Sequence, residues 1–281
     1  MNELINEVNR EFKLNCIKML SSIKASENLF ADDIISVVGP AFDSCMLREQ
    51  VFETVCTCIK TILSIYPSLS SSIHMYGSVP LRTFLADSDI DISVIITKEG
   101  RLIDSTLCEQ MYTKIAEELK TMATANPEIT NLHKVPAEVQ VIKFQWCSVP
   151  IDITLQQYSS CIANSLLERV NQLMGKGGIF KRAIILTKAW CLYDSHVLGS
   201  QHGNLCSYSI EVMIMYILNN YYEECITALD VFMLFVKVFS KFNWVDDILT
   251  VFGPISIAQY KQLVSFYLLI LSVMQMWWRW L

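Results

Sequence analysis

The sequence is poor in charge: only 18% of its 281 residues are Asp, Glu, Lys or Arg, whereas 52% are hydrophobic. This composition excludes a largely disordered chain, because disordered segments carry too little apolar surface to form a core. The formal net charge of −6 argues against a broad electrostatic surface for nucleic acid, which needs clustered Lys and Arg. A local basic groove for the end of one strand remains compatible with it. The length fits two modest domains or one large domain, and no repeat or low-complexity segment interrupts it.

The sequence also lacks the Cys and His spacing of a zinc site. Its ten cysteines are scattered through apolar segments, and the one close pair is Cys56 and Cys58. We therefore expect reduced, buried thiols in an intracellular protein. Residues 1–18 are charged and amphipathic and do not form a signal peptide, so the expected compartment is the cytoplasm or the nucleus.

Residues 74–97 carry the pattern around which the chain is organised. Strand-like residues lead to Gly77, whose backbone can turn sharply and approach a ligand closely. Ser78 adds a hydroxyl beside exposed amides, and residues 79–81 can open a helical turn, where a phosphate binds well. The pattern predicts a strand, a tight turn, a short helix and a second strand.

The second strand of this stretch carries two carboxylates. Strand side chains alternate between faces, so Asp89, Asp91 and Ser93 share one side while the intervening apolar residues enter the core. Two neighbouring carboxylates repel each other, and a divalent cation between them relieves the repulsion. The alternative is a turn glycine followed by a solvated edge strand, which leaves unexplained why two acids flank an otherwise apolar run.

Together, the Gly77-Ser78 turn, a spacer of ten residues and Asp-Ile-Asp-Ile at 89–92 resemble the signature of the DNA polymerase β-like nucleotidyltransferase superfamily. The resemblance implies that Asp89 and Asp91 are catalytic and bind metal. It also implies that the glycine and serine of the turn contact the phosphates of a nucleotide.

A third carboxylate, Asp152, lies in a region with the period of two that strands show. We predict one strand over residues 138–146, a turn at 147–150 and another strand from residue 151. Alone, an acid at this place would end a strand or face solvent. Because Asp89 and Asp91 precede it in the sequence, we interpret Asp152 as the third catalytic and metal-binding carboxylate.

Two later segments resemble the nucleotide-binding motifs of poly(A) polymerases and terminal uridylyltransferases in the same superfamily. Residues 180–191 resemble the helix that grips a triphosphate, and residues 203–209 resemble the start of the Ser-Ser-Tyr helix. The resemblance implies that Lys188 contacts the β- and γ-phosphates, that Ser207 supports the phosphates and that Tyr208 stacks on the base. The alternatives are a solvated helix lysine, a helix-start serine and a core tyrosine.

The resemblance covers residues 45–257 and is closest to a plant-like subgroup. Some relatives have a second phosphate-contacting lysine where this chain has Leu192. Relatives also have an Asn-Thr pair that contacts the ribose; here Asn164 and Ser165 lie nearby in the sequence but out of register with that pair. Relatives continue past the equivalent of residues 253–254 into a segment that completes the helical domain and contacts the base. We therefore expect a shortened helical domain.

The predicted fold class is α+β, with a small mixed-sheet nucleotidyltransferase palm packed against an all-α helical domain of PAP/OAS-like type. Expected helices span residues 1–24, 46–66, 103–122, 162–174, 179–198, 205–222 and 228–242. The expected domains are N-terminal helices that pack with the helical domain (1–66), the palm (67–160), an incomplete substrate-binding domain (161–258) and an apolar tail (259–281).

The apolar tail has two interpretations. Residues 263–278 are shorter than the roughly 20 residues of a bilayer span and contain two serines and a glutamine. The tryptophans near the end of the chain keep a membrane segment open. We predict a helix of the bundle and no membrane association.

The expected function is the transfer of a nucleotide from ATP or UTP to the 3′ end of an RNA without a template. Two Mg²⁺ or Mn²⁺ ions would be the cofactors, held by Asp89, Asp91 and Asp152. An RNA-binding partner protein is expected to supply affinity for RNA. The competing hypothesis is a catalytically inactive nucleotidyltransferase fold that serves as a binding or scaffold protein.

Overall fold

The computed structural model describes residues 28–136, 139–199 and 204–261. The chain divides into two compact units. One, the sheet unit, comprises residues 33–181, and the other, the helical unit, comprises residues 28–32 and 182–261 of the described part. The boundary between them therefore falls at 181/182, about twenty residues later than the predicted boundary at 160/161.

The sheet unit contains six strands and the helices around them. Its strands are β1 (Leu69–Tyr76), β2 (Ile90–Lys98), β3 (Arg101–Leu102), β4 (Ile129–Val135), β5 (Val141–Trp146) and β6 (Val149–Leu155). Its helices are the end of α1 (Asn28–Val38), α2 (Phe42–Leu63), α3 (Ser78–Leu81), α4 (Ser105–Ala125), α5 (Tyr158–Met174) and the start of α6 (Ile179–Ala189).

The sheet is mixed, as the sequence predicts, with strand order β1-β2-β6-β5-β4 and β3 paired to the end of β2. Strands β2 and β6 run parallel, and all the other neighbours run antiparallel. The apolar residues of the two central strands are fully buried, including Ile90, Ile92, Ile151 and Ile153. Central strands that are covered on one face by helices bury β-branched side chains in this way.

Helices α2 and α4 contribute to the core of the sheet unit. On α2, Val55 and Ile59 repeat every four residues and have no exposed surface, and Ile115 and Leu119 do the same on α4. All of them belong to one apolar cluster with the strands. The prediction that the N-terminal helices pack with the helical domain is therefore corrected for α2, because its apolar face is used by the sheet.

Strand β4 was not predicted from the sequence. It lies at the edge of the sheet, and of its residues only Ile129 is buried. Its pairing with β5 shifts register between Thr130 and His133, and Asn131 has a positive φ of 56°. An edge strand with a bulge shows no regular alternation of apolar and polar residues, which explains the omission.

The helical unit is built from two long helices and shorter elements. These elements are the remainder of α6, a π-helical turn (Trp190–Asp194), α7 (Ser207–Tyr221), a 3-10 turn (Tyr222–Glu224), α8 (Ala228–Phe239) and the strands β7 (Asp247–Thr250) and β8 (Gly253–Ser256). Thr227 begins α8 through a capping box with Asp230. The buried face of α8 includes Phe232, Phe235 and Phe239, whose rings contact one another.

The predicted helix over 179–198 is too long. The α-helix ends at Ala189 and continues as the π-helical turn, at whose end both the amide and the hydroxyl of Ser195 donate to the carbonyl of Trp190, at 2.9 and 3.2 Å. The amides of Val197 and Leu198 then bond the carbonyl of Cys191, which closes the helix. A hydroxyl that competes for the last carbonyls is a common cause of such an ending.

After α8, where no strand was predicted from the sequence, β7 and β8 form a hairpin. The Thr250 hydroxyl donates to the carbonyl of Gly253 at 2.7 Å and accepts from the amides of Phe252 and Gly253 at 3.3 and 3.2 Å. This local network fixes the turn.

Two predictions lie outside the described residues: the helix over 1–24 and the interpretation of residues 263–278 as a bundle helix. Among the described helices, none combines the length and the apolar character needed to cross a bilayer.

Candidate active site

Three carboxylates meet on one face of the sheet. Asp89 directly precedes β2, Asp91 lies in β2 and Asp152 lies in β6. Asp91 and Asp152 are paired in register across the parallel strands, so their side chains leave the sheet on the same face. One carboxylate oxygen from each residue lies within 4.8 Å of the other two, and all three side chains are half-buried.

This cluster fits a hard divalent cation. Its donors are all carboxylate oxygens, the ligands that Mg²⁺ and Mn²⁺ prefer, and its partial burial leaves an open side. Burial raises the pKa of Asp152, an effect that the hydrogen bond from Lys143 opposes and the nearby Asp89 carboxylate reinforces. A bound cation would relieve the repulsion among the three acids. The sequence prediction thus names three residues that the structure does bring together.

Lys143 is a member of this site that the sequence analysis missed. It lies in β5 directly opposite Asp152, and its ammonium group forms an ion pair with that carboxylate. Both side chains are largely shielded from solvent. The available signal was its position in a strand between the buried residues Ile142 and Phe144, where a lysine faces the polar side of the sheet.

The glycine of the predicted turn lies directly against the side chain of Asp91. Gly77 follows β1 with φ 76° and ψ −148°, a backbone conformation that is open almost only to glycine. A Cβ atom at this position would lie 2.3 Å from Oδ2 of Asp91. Its amide donates to Oδ1 of Asn164 in α5 at 2.8 Å. Ser78 begins the single turn of α3, in agreement with the predicted strand, turn and short helix.

A partly buried polar network joins the strands that carry the carboxylates. The hydroxyl groups of Tyr76 and Thr154 lie 3.2 Å apart, and Thr154 also donates to the carbonyl of Ile92 at 3.1 Å. Burial raises the pKa of Tyr76 to about 12, so its hydroxyl stays protonated at neutral pH. The network joins β1, β2 and β6 at the level of the acids and limits their relative movement.

A polar cleft of about 630 Å³ opens beside Asp89 and Asp152. Its other polar lining residues are Asn131, His133, Lys143 and Gln145, all from β4 and β5. The cleft therefore combines acids, a cation and neutral hydrogen-bonding groups, as expected where a polar substrate binds.

The remaining predicted residues lie in the helical unit. Lys188, on α6, is only 3% exposed, so the alternative of a solvated lysine is excluded. It acts electrostatically on Glu211 of α7, which is 5% exposed. Burial raises the pKa of Glu211 to about 7, and the Lys188 charge works against that rise. Sequence analysis missed Glu211, although an acid within the apolar run of α7 was a visible signal.

Ser207 and Tyr208 lie in the first turn of α7, where Cys206 caps the helix by accepting from the amide of Ser209. Tyr208 is 51% exposed, so the alternative of a core tyrosine is excluded. An exposed ring is available to stack on a flat ligand.

One protein family and one curated protein are similar to parts of this chain. Residues 174–267 match the PAP/OAS1 substrate-binding domain family. Poly(A) RNA polymerase cid12 of Schizosaccharomyces pombe is 21% identical over 190 residues, which are 68% of this chain and 51% of that protein. The chain thus spans about half the length of the curated relative it matches.

Solved structures share the fold at low sequence identity. A structure of Cid1 described for its RNA terminal uridylyl transferase activity superposes with a TM-score of 0.62 at 16% identity, over 83% of this chain and 79% of that one. A GTP-bound structure of the Cid1 poly(U) polymerase gives 0.65 at 17%, over 84% and 82%. The GLD-2/RNP-8 complex gives 0.61 at 13%, over 80% and 88%. The predicted α+β fold is confirmed by these similarities.

Proposed function

We infer that the chain is a nucleotidyltransferase of the poly(A) polymerase and terminal uridylyltransferase type, because the family match, the fold and the carboxylate cluster agree. We propose that it transfers a nucleoside monophosphate from ATP or UTP to the 3′ hydroxyl of an RNA. The observation that carries this proposal is the register of Asp91 with Asp152, which assembles three acids beside the Gly77 turn.

The roles proposed for the acids are supported by their clustering and by the resemblance to the superfamily. Asp89, Asp91 and Asp152 would hold two Mg²⁺ or Mn²⁺ ions. Such ions lower the pKa of an attacking hydroxyl and neutralise a leaving pyrophosphate when they are bound. The chain itself orients the acids through the in-register strands and the hydroxyl network of Tyr76 and Thr154 beneath them. Catalysis would then consist mainly of positioning and charge stabilisation.

The proposed substrate contacts extend on both sides of the acids in the sequence. Gly77 and Ser78 would approach the phosphates with their backbone, because no side chain stands in the way at Gly77. Within the helical unit, Lys188 and Ser207 would contact the phosphates and Tyr208 would stack on the base. The exposure of Tyr208 and the position of Ser207 at a helix start support these two roles.

We place the acceptor RNA end in the cleft beside Asp89 and Asp152. This cleft offers the polar side chains of Asn131 and Gln145 to a strand and is lined by Asp152, which forms an ion pair with Lys143. The net charge of −6 offers little further attraction for RNA, which supports an RNA-binding partner protein that adds affinity. The GLD-2 structure, which is of a complex with RNP-8, is one fold relative with a partner protein. For the compartment we retain the proposal of cytoplasm or nucleus.

The proposal is tested by incubating the purified chain with a short 5′-labelled RNA, Mn²⁺ and each nucleoside triphosphate in separate reactions. We expect a ladder of products above the input RNA with ATP or UTP, and no ladder from an Asp152→Asn variant that is otherwise folded. Absence of product with all four nucleotides would contradict the proposal and favour the binding or scaffold protein. The preferred nucleotide identifies the adenylyl or uridylyl type.

A further inference from the structure

The loop before Asp89 has to be held in place by contacts outside the sheet. Strand β2 begins at Ile90, so Asp89 has no partner in the described strand ladder. The preceding residues 82–89 form neither helix nor strand. Two local hydrogen bonds, from the amide of Leu85 to the Ser88 hydroxyl at 2.9 Å and from the amide of Ser88 to the Leu85 carbonyl at 3.1 Å, close the turn. The first half of the loop is held by the ion pair of Arg82 with Glu49 and by the buried side chains of Phe84 and Leu85. The position of the first acid therefore depends on what anchors this loop.

Arg48 anchors the second half of this loop, next to Asp89. It lies on α2, is 4% exposed, and its Nη2 donates to the carbonyls of Ala86 and Ser88, both at 3.0 Å. The two carbonyls are 38 and 40 residues away in sequence, and Ser88 is the residue directly before Asp89. On the other side, Nη1 donates to the Ser44 hydroxyl at 2.6 Å.

The guanidinium group is well suited to this place. It packs over the ring of Phe84, with its central carbon 4.5 Å from the ring centroid. Burial lowers the pKa of Arg48, and the carboxylates of Asp89 and Asp87 are among the charges that act against this. A planar, rigid donor set can hold two carbonyls at once, whereas a lysine ammonium on a flexible stem is less well organised for this.

We propose that Arg48 is a positioning residue that sets the place of Asp89 for metal binding, by holding the carbonyls of the loop that leads into it. The inference rests on the proposed function, since it assumes that the three acids bind a divalent cation. Replacing a residue that only stabilised the fold would lower the melting temperature without a specific effect on the affinity of the site for the cation. Residues that hold metal ligands in place affect metal affinity itself.

The test measures Mn²⁺ binding to the full chain by the loss of the free-ion signal in electron paramagnetic resonance, without RNA or nucleotide. We expect Arg48→Met to weaken Mn²⁺ binding by about 10- to 100-fold, the range found when residues that support metal ligands are removed. Arg48→Lys, which keeps the charge and the stem, should bind Mn²⁺ with intermediate affinity. Circular dichroism and gel filtration establish that each variant is folded. If Arg48→Met does not fold, the Mn²⁺ affinity of Arg48→Lys is compared with that of wild type instead.

Ile59→Val is the matched control for stability. Ile59 is fully buried on the same helix and belongs to the apolar core. This variant should lower the melting temperature and leave Mn²⁺ affinity within about twofold of wild type, which is a small fraction of the 10- to 100-fold effect expected at Arg48.

Three outcomes would overturn the inference. Wild-type affinity in a folded Arg48 variant would show that the loop does not need the anchor. A loss of affinity in Ile59→Val equal to that in the Arg48 variant would show a general effect of stability. A wild-type chain that binds no Mn²⁺ would refute the proposed metal site itself and, with it, the role of Arg48. Only the third outcome also counts against the proposed function.

Discussion

The replacement of Gly77 by alanine tests the contact between the turn and the acids most directly. Gly77 has φ 76° and ψ −148°, and a Cβ atom there would lie 2.3 Å from Oδ2, 3.2 Å from Cγ and 3.5 Å from Cβ of Asp91. A separation of 2.3 Å is well inside van der Waals contact, so the Asp91 carboxylate has to move. Asp91 is paired in register with Asp152, and its displacement would disturb the whole cluster.

Two costs of this replacement can be separated. The first is the backbone conformation, which costs a non-glycine residue about 1–3 kcal/mol of folding free energy. For a chain of this size, this corresponds to a fall in Tm of roughly 2–12 °C. The second cost is specific to the site, because the carboxylate of Asp91 is displaced from its two partners. We therefore expect Gly77→Ala to lose Mn²⁺ binding and nucleotide incorporation almost completely, even when most of the protein is folded.

Gly100→Ala is a matched control in the same unit. Gly100 has φ 74°, close to that of Gly77, but its added Cβ would meet no atom within 4 Å. It should show by thermal unfolding the loss of stability that a positive φ imposes on alanine, with Mn²⁺ affinity and incorporation per folded molecule near wild type. If Gly77→Ala retains the same metal affinity and activity as Gly100→Ala, the proposed dependence of Asp91 on the glycine is refuted.

Three further predictions concern individual side chains. Asp91→Asn should abolish nucleotide incorporation because it removes a metal ligand, and it should leave the protein folded because it removes one of three repelling charges. Full activity of the folded variant in the labelled-RNA assay would contradict the metal site. Tyr208→Ala should weaken nucleotide binding by about 1–3 kcal/mol in a titration, while Tyr208→Phe should change little, because stacking uses the ring face; equal losses would indicate a hydroxyl hydrogen bond. Burial raises the pKa of Glu211 from 4.5 to about 7. Between these pH values the folded state therefore retains a proton that the unfolded chain releases. The free energy of unfolding should fall by about 3 kcal/mol as the pH rises through this window. Urea unfolding at pH 5 and pH 8 should show that Glu211→Gln loses this pH dependence, and an unchanged dependence would refute the assignment.

The electrostatic interaction between Glu211 and Lys188 bears on the role proposed for Lys188 at the phosphates. Both side chains are almost fully buried, and Glu211 is close enough for the Lys188 charge to oppose the rise in its pKa. When Glu211 is ionised, it offsets part of the positive charge that Lys188 would offer to a phosphate. Protonation of Glu211 below about pH 7 would restore that charge. The Glu211→Gln variant described above therefore also mimics the form of the site with the stronger cation.

The sequence alone determined the parts of this protein that depend on local spacing. Gly77 and Ser78 lie at the predicted turn, Asp89 directly precedes the following strand and Asp91 lies in it, because alternation and turn chemistry act over a few residues. The α+β class followed from the same local patterns. Of the described helices, α2, α4, α5, α7 and α8 lie close to their predicted positions, whereas α1 was not predicted. The predicted end of α6 was wrong, because the hydrogen bonds of Ser195 that close it are a detail of the folded backbone.

Only the tertiary structure decided which distant residues share a site. The spacing from Asp91 to Asp152 does not reveal that they face each other, because register across parallel strands depends on the packing of the whole sheet. The ion pair of Lys143 and the contacts of Arg48 with a loop 38 and 40 residues away depend on that packing too. The burial of Lys188 likewise depends on how the helices of its unit pack. Periodicity identifies which side of a helix or strand is apolar, and the assembled fold determines what each polar side meets.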